Sequence, residues 1–308
     1  MGSINLIPPL VSFFISVSIT PVLINIAKKK GLHDVPDNST LKIHQAPIPN
    51  IGGLVVFISI TPTLLLSLPF VYSQSKDIYG LIIGCLLIMA LGIADDLKGI
   101  NPLIRFLGHF LISIIVISFG FRINTFPSFF LNLIATSFII IVSINAINLL
   151  DGMDGLATGV SAICCLGFIG LGIYQNNTFV SILSLILLGS LIGFLPYNFN
   201  PAKIFLGDSG STLIGFLLAL LIISSASQLS SLLNLIPPVL IVGLPFFDTA
   251  YAILRRVRSK KNIFIGDREH FYDKLNRKGF SQRQTAVIGY SLSLVCAVLG
   301  LGIYKIIN

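Results

Sequence analysis

Ten apolar stretches of bilayer-spanning length divide this chain, near residues 4–27, 51–70, 78–94, 103–121, 127–147, 156–175, 178–195, 209–227, 232–254 and 285–306. A helix needs roughly 17 to 25 such residues to cross the hydrocarbon core. Lipid offers backbone groups no partners, so runs of this kind have to close their hydrogen bonds within the segment. The pattern predicts an all-α, polytopic integral membrane protein with about ten transmembrane helices, a single unit over 1–308. Composition agrees: mean hydropathy is +0.93, and 54% of residues are hydrophobic against 10% charged. A single soluble core cannot cover that much apolar surface. The net charge of +8 belongs to membrane topology rather than to nucleic acid, because Lys and Arg gather in cytoplasmic loops. Cys85, Cys164, Cys165 and Cys296 all lie inside apolar runs without C-x-x-C spacing. They are expected to pack as small hydrophobes.

The first run ends at Lys28-Lys29-Lys30, and no basic residue precedes it. It reads as a retained helix rather than a signal peptide, with its N-terminal side outside. Alternating from there puts the C-terminus outside and five loops, 28–50, 95–102, 148–155, 196–208 and 255–284, in the cytoplasm. All of the 20 Lys and Arg except Lys76, Arg122 and Lys305 then fall on the cytoplasmic side, as do all 12 acidic residues except Asp77. Acidic residues barely influence orientation, so their asymmetry asks for another cause. A cation or phosphate site on that face supplies one.

Each of these loops carries its own polar cluster. Pro36, Pro47 and Pro49 exclude a regular helix in the first loop. Asp95 and Asp96 close the third run, with Arg105 at the start of the fourth. Adjacent carboxylates do not share one helical face, so one can reach a metal or a substrate while its neighbour orients a cation. Solvated helix-end charges are the plainer reading. The stretch Asn145–Gly159 holds Asn148, Asp151, Asp154 and three glycines between two apolar runs, and carboxylates there call for a wet cavity or a membrane surface. A polar turn explains an isolated Asp-Gly equally well. In the fourth loop, Asp208 stands between Gly207 and Ser209 at a fresh helix start. Free N–H groups there would make a phosphate cradle, although helix capping explains the same residues. The fifth loop carries Asp267-Arg268-Glu269-His270-Phe271-Tyr272-Asp273, whose acidic residues topology does not account for.

Taken together, Lys42…Pro47-Ile-Pro-x-x-Gly52-Gly53, Asp95-Asp96, Asn148-Leu-Leu-Asp151-Gly-x-Asp154-Gly, Asn198…Phe205-Leu-Gly-Asp208-Ser-Gly-Ser and Asp267-Arg-x-His270 resemble the polyprenyl-phosphate N-acetylhexosamine-1-phosphate transferase family. The family includes WecA-type and TagO-type enzymes and the peptidoglycan branch, MraY. The motifs run in order over nearly the whole chain. The resemblance implies ten helices around a cytoplasmic cleft in the inner (plasma) membrane, and a Mg²⁺ cofactor or Mn²⁺ in its place. It implies attack by undecaprenyl (polyprenyl) phosphate on the β-phosphate of a UDP-sugar, with release of UMP. Carried over by position, Asp208 and Asn148 match metal ligands. Lys42, Asp151, Asp154, Asn198 and Phe205 match the nucleotide pocket, Asp151 being counted with the catalytic residues. Asp95 and Asp96 match the pair assigned to the lipid phosphate or its deprotonation, and Arg105 falls where members carry a basic residue. Asp267, Arg268 and the catalytic candidate His270 match the fifth loop. Implied partners are the two substrates and the bilayer, with no nucleic acid and a homodimer left open.

One departure concerns the sugar. WecA-type relatives carry His-x-His-His where this chain has His270-Phe271-Tyr272-Asp273. That loop is expected to face the sugar, with Tyr272 and Asp273 bonding its hydroxyl or acetamido groups and Lys274 or Arg277 offsetting Asp273. The missing His run argues against MraY, so UDP-GlcNAc is the leading donor and UDP-MurNAc-pentapeptide the alternative. An ion-coupled transporter is the reading from another class, but the matched broken-helix repeats of such proteins are absent from the sequence.

Overall fold

The computed structural model describes residues 6–35, 46–71, 75–226, 232–262 and 267–308. Its elements in chain order are α1 (Ile7–Lys30), β1 (His33–Asp34), β2 (Ile48–Pro49), α2 (Gly52–Val71), α3 (Ser75–Lys98), α4 (Pro102–Ser118), α5 (Phe129–Leu150), α6 (Leu156–Tyr174), α7 (Thr178–Asn198) and α8 (Gly207–Ala226). A 3₁₀ turn at Leu232–Leu235 leads into α9 (Ile236–Ile241) and α10 (Gly243–Arg258), followed by α11 (Phe271–Arg277) and α12 (Gln282–Ile307). The protein is a multi-pass, all-α membrane protein. Among the described residues, seven helices are long and apolar enough to cross a bilayer, or eight if the bent α9–α10 pair is one span; Gly52–Ser67 and Pro102–Ser118 are shorter apolar helices.

Local chemistry sets the ends of these helices. Asn101 accepts from Leu103 N at 2.9 Å ahead of Pro102 at the first position of α4. Ser281 and Gln284 close a reciprocal capping box on α12, satisfying donors that the first turn leaves without partners. α1 stops at Gly31, whose φ of 69° is left-handed and favours a residue without Cβ. Helices then meet through small residues, as expected where lipid gives apolar side chains no reason to prefer each other. A Cβ on Gly189 of α7 would lie 2.2 Å from the Pro9 carbonyl oxygen of α1. Ser12 and Ser16 donate across the same seam to the Ile186 and Ser190 carbonyls, both at 2.8 Å.

α8 forms the centre of the bundle. It packs against α2, α3, α5 and α6, and 94% of its apolar window is buried, against 28% for α12. Its N-terminus is therefore fixed from several sides. The ninth apolar run, expected as one straight span over 232–254, is instead broken: α9 and α10 meet at 95°. Pro245 explains the break, since proline lacks an N–H and its ring collides with the carbonyl four residues back, here Ile241. The Ile241 carbonyl takes a contact from Cys164 Sγ at 3.2 Å instead. All four cysteines are free thiols, three of them buried.

Candidate active site

The cytoplasm-assigned loops of the sequence reading converge on one cavity of about 700 Å³. They are drawn together by backbone pairing between motifs far apart in the chain. Phe205 N donates to the Pro49 carbonyl at 2.8 Å, Gly52 N to that of Phe205 at 2.9 Å and Gly53 N to that of Leu206 at 2.8 Å. The two glycines are needed because a Cβ on either would come within 2.5 Å of backbone in 205–210. Gly92 makes the same allowance on α3, where a Cβ would lie 2.4 Å from Ser209 Cα.

At the α8 end, Asp96 accepts from Asp208 N at 2.8 Å, Ser209 N at 3.0 Å and Asn50 Nδ2 at 3.2 Å. It caps α8 from another helix and complements its positive end. The expected phosphate cradle of free N–H groups is thus corrected, because the N–H groups of 208 and 209 already hold a carboxylate. Asp208 receives Asn148 Nδ2, which also reaches Ser211 Oγ at 3.0 Å. Asp95 points elsewhere. Its oxygens accept from Ile100 N and from Arg105 Nη1, both at 2.7 Å, and its side chain is 4% exposed. It is not on the cavity wall, as the opposite-face reading of the pair anticipated. Arg105 Nη1 also lies 3.8 Å from Asp208 Oδ2. Arg105 therefore bridges the two carboxylates.

Asp151, Asp154, Asn198 and Phe205 all line the cavity. Burial raises the Asp151 carboxyl well above the usual range, with the charges of Asp208, Asp96 and Asp154 adding to it. Asp154 Oδ2 holds the 198–202 turn through Asn200 Nδ2 at 2.9 Å and Ala202 N at 3.0 Å. Asn198 is buried, donating to the Ile204 carbonyl at 3.0 Å and accepting from Thr158 at 2.7 Å. Lys42 lies outside the described residues.

The α10–α11 loop forms the remaining wall. Asp267 Oδ1 and Oδ2 both accept from Arg255 Nη2 at 2.7 Å, and Arg256 Nε reaches Oδ2 at 3.0 Å. Burial alone would raise Asp267, but Arg256 and Arg255 outweigh it and hold the carboxyl at about 2. The Arg255 guanidinium also donates to the Glu269 carbonyl. The expected roles of Tyr272 and Asp273 need correction. Tyr272 lines the cavity, but its hydroxyl donates to the Leu149 carbonyl at 3.1 Å. Asp273 is buried, accepting from His270 N and Arg268 Nη1, both at 3.3 Å. Its offsetting charge is Arg268, because Arg277 pairs with Glu269 at 2.7 Å and Lys274 sits 4.2 Å over the Tyr251 ring. Asn50, Asn200, Asp248 and Gln282 also belong to this region and were not singled out from the sequence. Asp248 carried a signal, being a carboxylate inside an apolar run.

A divalent cation fits the α8 end. Asp96, Asp151 and Asp208 repel one another there, while Arg105 is already engaged by Asp95. Among the described residues no three His, Cys, Asp or Glu side chains form a complete cage. Mg²⁺ in phosphate sites takes only one or two carboxylates and completes its shell with substrate and water. Asp208 is a hard donor of the right kind, and Asn148, which here turns its NH₂ toward Asp208, would offer its amide oxygen to a shared ion once the amide turns over.

Residues 78–226 match the family described as Glycosyl transferase family 4. The chain is 33% identical to the probable undecaprenyl-phosphate N-acetylglucosaminyl 1-phosphate transferase of Bacillus subtilis, over 94% of this chain and 82% of that protein. It is 31% identical to the undecaprenyl-phosphate alpha-N-acetylglucosaminyl 1-phosphate transferase of Thermotoga maritima, over 95% and 87%. It is 29% identical to the phospho-N-acetylmuramoyl-pentapeptide-transferase of Staphylococcus aureus, over 96% and 97%. Motif order, the cavity that the motifs build and this breadth of similarity lead to one assignment: the chain belongs to the polyprenyl-phosphate N-acetylhexosamine-1-phosphate transferase family.

Proposed function

We propose that the protein transfers N-acetylglucosamine 1-phosphate from UDP-GlcNAc to undecaprenyl phosphate at the cytoplasmic face of the plasma membrane, releasing UMP. The observation that carries this reading is the meeting of the motif loops at an α8 end richer in carboxylates than in cations. The B. subtilis and T. maritima relatives, both named as N-acetylglucosaminyl 1-phosphate transferases, support the choice of sugar. Asp208 and Asn148 would hold Mg²⁺, which when bound neutralises diphosphate charge and polarises the phosphorus under attack.

The remaining work falls to this chain's own residues. Asp96 fixes the start of α8, so that Asp208 keeps its position relative to Asn148. Asp95 holds Arg105 beside Asp208. A phosphate monoester has its second pKa near ~6 and is mostly dianionic at neutral pH. It needs no strong base to attack directly. Its oxygen bonds to the β-phosphorus, the bond from that phosphorus to the bridging oxygen breaks, and UMP departs with that oxygen. Phe205 offers a face to the uracil, and Asp154 holds the turn behind it.

Purified protein with undecaprenyl phosphate, Mg²⁺ and one donor at a time tests this by UMP release and lipid mass. UDP-GlcNAc should turn over, and EDTA should silence the reaction until Mg²⁺ returns. Selective use of UDP-MurNAc-pentapeptide would instead assign the chain to the peptidoglycan branch. In cells, single cysteines at Asn200 and Ser259 should resist an impermeant thiol reagent. Labelling of either from outside would overturn the cytoplasmic placement.

A further inference from the structure

His270 lines the cavity, yet its ring does not sit there unsupported. Its Nδ1 lies 2.6 Å from Asp248 Oδ2, and the two side chains are 3% and 5% exposed. The other Asp248 oxygen accepts from Phe271 N at 3.0 Å. The ring is also stacked on Tyr272, with centroids 5.5 Å apart and planes 5° from parallel. Asp248 reaches this position because α10 departs from α9 at 95°. A straight ninth span would carry it along the helix axis of α9 instead.

A carboxylate accepts from Nδ1 only if Nδ1 carries the hydrogen, so this contact fixes both the tautomer and the orientation of the ring. Nε2 is then the ring atom left for the cavity. We propose that Asp248 is a positioning residue for the transfer reaction, holding His270 so that its acceptor Nε2 meets the UDP-sugar donor. In that tautomer Nε2 carries the lone pair and accepts from a hydroxyl or amide N–H of the bound UDP-sugar, a bond that the opposite tautomer, with hydrogen on Nε2, cannot make. No bond to Asp248 forms or breaks and it takes no proton. The inference rests on the proposed phosphotransfer only for its effect on turnover; the tautomer it assigns to His270 is independent of substrate.

The plain alternative is that Asp248 merely caps the start of α11 through Phe271 N. Asp248→Asn separates the two. The amide oxygen can still accept from Phe271 N, while its NH₂ now faces Nδ1 and selects the opposite tautomer. Turnover in Asp248→Asn should fall about 100-fold, the lower end of what a positioned proton donor or acceptor supplies, carried in kcat rather than KM. The same substitution in a His270→Ala background should change nothing further. ¹⁵N spectra of histidine-labelled protein without substrate should show hydrogen on His270 Nδ1 in the wild type and on Nε2 in Asp248→Asn, with an unchanged melting temperature. Wild-type-like turnover in Asp248→Asn, independent multiplication of the two substitutions, or Nδ1 without hydrogen in the wild type would each overturn the proposal. If the wild type turns over no UDP-sugar, the spectra still decide the positioning claim while the phosphotransfer reading fails separately.

Discussion

Two ends of one cavity handle their carboxylates in opposite ways. At the α8 end, Asp96, Asp151 and Asp208 crowd together, and the nearby cation, Arg105, stands 2.7 Å from Asp95 but 3.8 Å from Asp208. Around the α10–α11 wall, Asp267 is gripped by Arg255 and Arg256 and Asp273 by Arg268, while Asp248 pairs with the His270 ring. Desolvated charges are expensive unless neutralised. This wall is therefore finished, with each of its carboxylates partnered within the protein. The α8 end reads as a site whose balance comes from a bound cation and the substrate that it orients. Equal substitutions at the two ends should for that reason have unequal effects.

The largest effect is expected at Asp208. Asp208→Asn keeps the size of the side chain but removes a hard, charged donor. Turnover should fall by at least ~1,000-fold, or about 4 kcal/mol of transition-state stabilisation, while the melting temperature holds or rises because repulsion with Asp96 and Asp151 is relieved. Mg²⁺ should protect wild-type protein against thermal unfolding and leave Asp208→Asn unprotected. A variant retaining a tenth of normal turnover would break the contrast, since it would make Asp208 no more important than a loop carboxylate.

A second comparison uses glycines. Gly92 faces the backbone of Ser209, whereas a Cβ on Gly152 would meet the end of a side chain, Tyr272 Oη, at 2.2 Å. Backbone inside a packed helix start cannot yield, whereas the buried Tyr272 ring borders the cavity and can shift toward it. Gly92→Ala should cost about 1 to 3 kcal/mol in stability, and displacing Asp208 by about an ångström should lower turnover by roughly 100-fold. Gly152→Ala gives up the bond from Tyr272 to the Leu149 carbonyl, about 1 kcal/mol, and should reduce turnover by under ~10-fold. Thermal melts and initial rates on both variants check the order. The reverse order would mean that the loop wall, not the α8 end, is the stiffer part of the cavity.

Much of this was legible in the sequence. Length and apolarity marked the helical segments, and motif chemistry marked Asn148, Asp151, Asp154 and Asp208, all of which meet in the cavity. The split between Asp95 and Asp96 followed from helical geometry. What stayed hidden depends on tertiary direction. The break at Val242 needs Pro245 to be read against the carbonyl of Ile241, and apolar composition conceals it. Asp248 therefore looked like the tail of a membrane span rather than the partner of His270. Tyr272 and Asp273 looked like sugar ligands because position in a motif does not say where a side chain's hydrogen bonds go. Both proved to be committed inside the protein. The glycines of the first loop read as part of a family pattern, and only the approach of 205–210 supplies their physical reason.

The smallest effect should come from Asp267, although it is as charged as Asp208 and lines the same cavity. Its folded-state pKa, about 2, lies below the ordinary carboxylate value near ~4. A depressed value of this kind contributes stability that is fully present above the unfolded pKa and lost as pH falls through the folded one. The Arg255–Asp267–Arg256 clamp should therefore be intact from neutral pH to about pH 4.5 and release between about pH 4 and pH 2. Asp267→Asn should lower the melting temperature by a few degrees at pH 7, with that gap steady down to about pH 4.5 and closing below it as the wild type loses the same charge. Turnover at pH 7 should drop by no more than about tenfold, because the loop retains the Asp248–His270 and Asp273–Arg268 contacts and no metal is expected at this end. Melting curves of the two proteins from pH 7 to pH 2.5 test the window. A gap that widened on acidification would show that Asp267 is not held as an anion by the arginines. A loss of turnover as deep as that of Asp208→Asn would erase the distinction between a balanced wall and a site that awaits its cation.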